Sequence, residues 1–216
     1  MAGILMSGIN SPQGVKLMER LDLDTIKTVN IASFPLRPTR RTGGSNEITF
    51  ATGKSALGAV LVARSAIGVC AILIGEDADE LMLDLASRFP GVRLQRDEVG
   101  LRQDLASTIT FIANPSEGID LPLDMSRGTS FQRRVWDELR TIPIGATISY
   151  GALARRIGKP GAVRAVANAC AANAIALGIP CHRVIHNDGT LSGYRWGVER
   201  KRALLESEIA AREIEA

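Results

Sequence analysis

Residues 148–173 read ISYGALARRIGKPGAVRAVANACAAN, and the fold turns on how that stretch is parsed. Ser149 can cap a short helix from Tyr150 to Ile157, its hydroxyl accepting from N–H groups that a first helical turn leaves open. Gly158-Lys159-Pro160-Gly161 then makes a tight turn, and a second helix, Ala162 to Ala172, follows at once. Two short helices across a glycine-containing turn form a helix-turn-helix candidate, although any helical hairpin gives the same signal. Six alanines (162, 165, 167, 169, 171 and 172) leave the second helix nearly smooth, with Arg164 projecting from its start. Such a surface suits close packing in a core. It also suits a nucleic-acid groove too narrow for bulky side chains.

Working outward, Thr129 or Ser130 can cap a preceding helix with Phe131, Val135, Trp136 and Leu139 along one face. Pro143-Ile144-Gly145 breaks it, and Leu121-Pro122-Leu123-Asp124 bridges to what comes before. From Glu47 the pattern is different. Ile48 to Phe50, Val60 to Val62 and Val69 to Ile74 are β-prone, with Gly58 and Ile67-Gly68 at the turns, so a small antiparallel sheet is expected. Asp77 caps a predicted helix through Leu81, Leu85 and Phe89 that Pro90 stops; another runs from about Val99 to Ile112. Residues 1–45 read as an appendage ending in a flexible linker. The expectation is an α+β protein. A small N-terminal domain with an antiparallel sheet spans 46–124, and a mainly helical domain with the helix-turn-helix spans 125–216.

The 216 residues are 45% hydrophobic, too apolar for a disordered chain. A net charge of +3 says little by itself. Its distribution says more: residues 46–120 sum to −5, whereas Arg127 to Arg183 hold nine bases against Asp137 and Glu138. A basic segment of that kind points to a polyanion, or simply to a solvated face. Three scattered cysteines argue against a disulfide framework. The apolar run Ala66 to Ile74 is too short to span a membrane, and no secretory signal opens the chain, so a cytoplasmic protein is expected.

Chemistry centres on Ile179-Pro180-Cys181-His182-Arg183-Val184. A thiolate is the nucleophile, and a neighbouring His or Arg raises the thiolate fraction. Cys70, in an apolar strand, and Cys170, in the alanine helix, are expected to be buried and inert. Cys181 could also be a packed strand residue. Zinc binding by Cys170, Cys181, His182 and His186 lacks the usual close cysteine pair, and adjacent residues of an extended segment point apart. A cysteine hydrolase would need a histidine from elsewhere, and the only two lie within five residues of Cys181. A carboxylate on the last helix, Glu206 or Glu208, could orient His182.

Five motifs in order then carry a resemblance: FQRRVW at 131–136, ISYGALA at 148–154, GKPGAVRAVANACAAN at 158–173, IPCHRV at 179–184 and DGTLSGYRWG at 188–197. From Ser130 to Glu208 the chain resembles the active-site domain of the O6-alkylguanine-DNA alkyltransferases, most closely that of the bacterial adaptive-response regulator. Residues 47–124 are similar, more loosely, to the family's smaller N-terminal domain.

The resemblance implies direct repair of DNA. The O6-alkyl group of guanine, mainly methyl, moves irreversibly to Cys181, and O4-methylthymine is a further substrate; no cofactor takes part. The partner is double-stranded DNA, met in the minor groove, with the base flipped because its O6 lies inside the stack. By the same match His182 activates Cys181 through a water, and Glu208 holds His182. Tyr150 presses on the 3′ phosphate and supports the leaving group, and Asn173 is the hinge between recognition helix and active site. Arg164 replaces the flipped base, with Ala162, Ala165 and Arg183 also at the DNA. Pro180, Val184, Ser192, Tyr194 and Trp196 line the base pocket. The protein is expected to act as a monomer without metal or membrane. In this sequence no cysteine precedes Cys70, so the regulator's zinc sensor is not expected, and an alkylation-responsive DNA-binding regulator is the alternative function. Tyr194-Arg195-Trp196 places bulk at the pocket, which predicts preference for methyl over benzyl groups.

Overall fold

The computed structural model describes residues 47–191 and 193–214. The expected appendage over 1–45 and Ser192 therefore lie outside the described residues.

Strands β1 (Glu47–Ser55), β2 (Gly58–Arg64) and β3 (Val69–Gly75) pair antiparallel, with Ala51 opposite Val62 and Val62 opposite Ile72. Helix α1 (Ala78–Arg88) starts at Asp77, whose carboxylate accepts from the N–H groups of Asp79 and Glu80. It carries the chain to β4 (Arg93–Arg96), which lies parallel to β1, so the order is β3-β2-β1-β4. The sheet is thus mixed rather than purely antiparallel. Only Leu94 marks β4 in the sequence as apolar, and its pairing depends on a partner 46 residues away. Helix α2 (Arg102–Ala113) begins three residues later than expected, because the N–H of Gly100 turns back to the Asp97 side chain at 2.8 Å.

The second half opens on α3 (Ser130–Arg140), held by a capping box in which Thr129 and Gln132 each accept from the other's backbone. A two-residue strand β5 (Ile148–Ser149) leads into α4 (Tyr150–Arg156), capped by Ser149, and then α5 (Val163–Ala171). Strand β6 (Val184–Ile185) pairs parallel with β5, and α6 (Val198–Ile214) closes the fold.

The outer edge of β3 is where the two halves join. The N–H of Val69 donates to Pro122 at 2.7 Å, and that of Asp124 to Val69 at 2.8 Å. Further along, Ile72 donates to Ala174 at 2.9 Å and accepts from Ala176 at 3.0 Å. A free edge is a template for aggregation; here it fixes the segment that runs from α5 to Cys181. One continuous apolar core includes Val62 and Ile72 from the sheet with Val135, Leu153 and Val166 from the helices.

Candidate active site

Between α5 and Cys181 the chain is wound tightly. Ile179 donates to Ile175 at 3.0 Å, Gly178 donates to Ala176 at 2.7 Å, and buried Leu177 takes φ 67°. A left-handed leucine is uncommon and persists only where its surroundings hold it. Asn173 does much of the holding. Fully buried, it accepts from the N–H of Ile175 at 2.8 Å and donates to the Ile179 carbonyl at 2.8 Å and to Cys181 Sγ at 3.2 Å.

Cys181, His182 and Arg183 form a single 3₁₀ turn, not a strand. Adjacent side chains therefore need not point apart, and all three are buried. His182 Nε2 lies 2.8 Å from Glu208 Oε1. The Glu208 carboxylate also accepts from Arg183 Nε at 2.9 Å, Arg183 Nη2 at 2.8 Å and the N–H of Gly145 at 3.2 Å. Gly145 has φ +70°, and a Cβ there would sit 2.9 Å from the Glu208 carbonyl oxygen, so this turn accepts only glycine without strain.

A carboxylate surrounded by donors assigns the hydrogen to Nε2 of neutral His182 and leaves Nδ1 as an acceptor. Nδ1 is buried without a hydrogen-bond partner among the described residues. Burial raises the Glu208 carboxyl, but the hydrogen bonds from His182 and Arg183 and the Arg183 charge outweigh it and bring it down to about 2. Burial lowers His182 and favours the neutral base. The Cys181 thiol is pushed up to about 11 by burial, against the Asn173 hydrogen bond and the charge of Lys201. The cysteine is therefore a protonated thiol beside a neutral base. The same burial lifts Cys70 to about 12 and Cys170 well up.

Two expectations need correction. Arg183, expected at the DNA, does not lie on the surface. Its guanidinium is turned inward onto Glu208 and the Ile142 carbonyl, 2.5 Å from Nη1, because an unpaired buried cation would be prohibitive. Nor do His182 and Arg183 draw the thiol down; Asn173 and Lys201 oppose its rise. Lys201, missed in the sequence, is completely buried on α6 and donates to the Val184 carbonyl. Its signal was present: Lys201, Leu204, Leu205 and Glu208 share one helical stripe at i, i+3, i+4 and i+7.

Pro180 and Val184 flank the turn and are buried. The Tyr194 ring meets His182 edge-on, with centroids 6.4 Å apart, and Trp196 at 5.1 Å. Tyr150, at the start of α4, instead lies 5.9 Å from the ring of exposed His186. On α5, Val166, Ala169 and Cys170 face the core while Arg164 and Ala165 are exposed, with Ala162 half-buried at its cap. The smooth helix thus presents a surface as well as a core face. Among the described residues no three His, Cys, Asp or Glu side chains converge on a common metal position.

A helix-turn-helix domain that buries a cysteine beside a His-Glu pair defines the class to which this chain is to be compared. Residues 130–210 match the family described as 6-O-methylguanine DNA methyltransferase, DNA binding domain. The bifunctional transcriptional activator/DNA repair enzyme Ada of Escherichia coli K12 is 50% identical over 169 residues, 78% of this chain and 48% of that protein. A methylated-DNA–protein-cysteine methyltransferase of Mycobacterium tuberculosis is 54% identical over 98 residues, 45% of this chain and 59% of that one. The crystal structure of M. tuberculosis OGT in complex with DNA superposes with a TM-score of 0.64 at 38% identity, covering 76% of this chain and 94% of that one. The chain belongs to the 6-O-methylguanine DNA methyltransferase family. It spans about half the length of the curated relatives it matches first.

Proposed function

We propose that the chain repairs alkylated DNA by moving the O6-alkyl group of guanine, and the O4-methyl group of thymine, onto Cys181. The observation that carries this reading is the buried thiol, gripped by Asn173 and next to a histidine whose free acceptor is set by Glu208. His182 Nδ1 takes the thiol proton through a water, and the sulfur attacks the alkyl carbon. The S–C bond forms as the C–O6 bond breaks. The electron pair stays on the base, which is reprotonated with help from Tyr150. A thioether has no good leaving group, so each molecule acts once and needs no cofactor.

Reaching O6 requires the base to be flipped. Arg164 fills the vacated stack, and Ala162 and Ala165 let α5 approach the minor groove of double-stranded DNA. Pro180, Val184, Ser192, Tyr194 and Trp196 form the base pocket, whose aromatic wall favours methyl over benzyl groups. The protein works as a monomer in the cytoplasm, with its domain boundary near residue 124. The test is to incubate it with O6-methylguanine DNA and weigh it: one methyl on Cys181, absent in Cys181→Ser, is expected. Sustained turnover or an unmodified Cys181 would overturn the mechanism.

A further inference from the structure

The aromatic wall is tied to the sheet by one side chain. Arg200, on α6 and only 18% exposed, donates from Nε to the Leu57 carbonyl at 2.7 Å and from Nη1 to the Trp196 carbonyl at 2.9 Å, while Nη2 meets the Glu76 carboxylate. These three acceptors belong to three segments: the β1–β2 turn, the end of β3 and the loop carrying Tyr194 and Trp196. The receiving turns are shaped to fit. Gly58 has φ +104°, and a Cβ there would lie 2.3 Å from the Gly75 carbonyl oxygen. Gly197, at φ +99°, closes the 194–197 turn by donating to Tyr194 at 3.0 Å.

From the clamped carbonyl a line of contacts runs inward. Trp196 is 5% exposed and its ring packs edge-on against Tyr194, which packs edge-on against His182. The same loop has a second strap, Arg195 to Asp84 at 3.2 Å, but the side chains are 40% and 30% exposed, where an ion pair contributes little. A planar guanidinium with fixed N–H directions holds three acceptors in one geometry, which a lysine cannot reproduce.

We propose that Arg200 is a positioning residue that sets the alkyl-group size the pocket accepts, acting through the Trp196 carbonyl. This rests on the alkyl-transfer reading above and assigns the sheet layer a part in specificity. When the clamp is lost, the Trp196–Tyr194 wall relaxes outward and larger groups enter.

The test compares rates of Cys181 alkylation by O6-methylguanine and O6-benzylguanine in one duplex sequence. Arg200→Ala is expected to raise the benzyl-to-methyl ratio about tenfold, within the range that misfit in an apolar pocket commands. Arg200→Lys should fall between it and wild type, and Arg195→Ala should leave the ratio within about twofold, as for an exposed ion pair. Glu76 is 84% exposed, so Glu76→Ala should, like Arg195→Ala, leave the ratio within about twofold. Arg200→Met keeps the apolar stem while removing every donor; it keeps the test alive if Arg200→Ala folds poorly, and should move the ratio in the same direction as Arg200→Ala. In parallel, fluorotryptophan labelling gives one fluorine resonance for Trp196 and one for Trp136, assigned with Trp196→Phe. Arg200→Ala should shift the first and not the second. An unchanged ratio with folded Arg200→Ala or Arg200→Met, or an unmoved Trp196 resonance, overturns the clamp. If wild type transfers neither group, the transferase reading fails instead, and the resonance alone decides on the clamp.

Discussion

From residue 47 to 113 the interior is built almost wholly of hydrocarbon. Leu61, Val62, Val69, Ile72 and Leu73 are all fully buried, and the polar exceptions are Asp104 and Thr108. From 130 to 214 the same depth takes in Asn173, His182, Arg183, Lys201 and Glu208. Sequestering charge is costly, and replacing a buried ion pair by packed apolar groups is often neutral or stabilising. The sheet shows that this chain can build a core without such groups. Their concentration around Cys181 therefore reflects chemistry rather than stability.

The comparison is broken or sharpened first at Glu208, where the largest effect is expected. Glu208→Gln leaves the Arg183 cation in the interior without its counter-charge and should cost about 3–5 kcal/mol by urea denaturation, besides abolishing alkyl transfer. The pH dependence follows from the sign of the shift. The folded-state carboxyl titrates near 2, below its ordinary 4.5, so its stabilisation is fully present above about 4.5 and lost as pH falls toward 2. Wild type should lose stability across that window and Glu208→Gln should lose less, as read from denaturation midpoints at stepped pH.

Asn173→Ala comes next. It strands the Ile175 N–H in the interior, at about 1–3 kcal/mol, leaves the Ile179 carbonyl with the Cys181 N–H alone, and takes the donor from Cys181 Sγ. Alkylation should slow with its pH profile displaced to the alkaline side.

Lys201→Met separates the two roles most cleanly. Exchanging a buried ammonium that donates to the Val184 carbonyl for a linear apolar side chain relieves a desolvation cost as it removes a hydrogen bond, so thermal stability should change little. The developing thiolate loses the cation whose charge opposes its rise, so alkylation at neutral pH should fall about tenfold, equivalent to about one pK unit at the sulfur. A large loss of stability with an unaltered rate would assign Lys201 to packing instead.

What the sequence made legible divides along the same line. Asp77, Thr129 and Ser149 were readable as helix starts because capping is settled within four residues. The IPCHRV motif and the helix-turn-helix were readable for the same local reason. Strand β4 was not, since four residues with one apolar side chain gain their identity only from a distant partner. Arg183 shares the Glu208 carboxylate that the resemblance gave to His182, because the 3₁₀ turn brings to one group two side chains that an extended segment would point apart. Lys201 was overlooked although its spacing set it on the buried stripe of α6. A cation among leucines is ordinarily read as an exception at the rim, not as part of the site.

The smallest effect belongs to the sheet's own ion pair. Arg64, at the end of β2, meets Asp104 on α2, their side chains 34% and 10% exposed. It resembles the Glu208 network in kind but not in setting. Freed of its partner, the Arg64 guanidinium can still reach water, and Asn at 104 keeps a carbonyl oxygen for it to approach. Asp104→Asn should therefore cost less than about 1 kcal/mol in the same urea titration, the range of partly exposed pairs. A loss matching that of Glu208→Gln would show that the sheet, too, depends on a buried charge, and the contrast between the two interiors would no longer separate chemistry from stability.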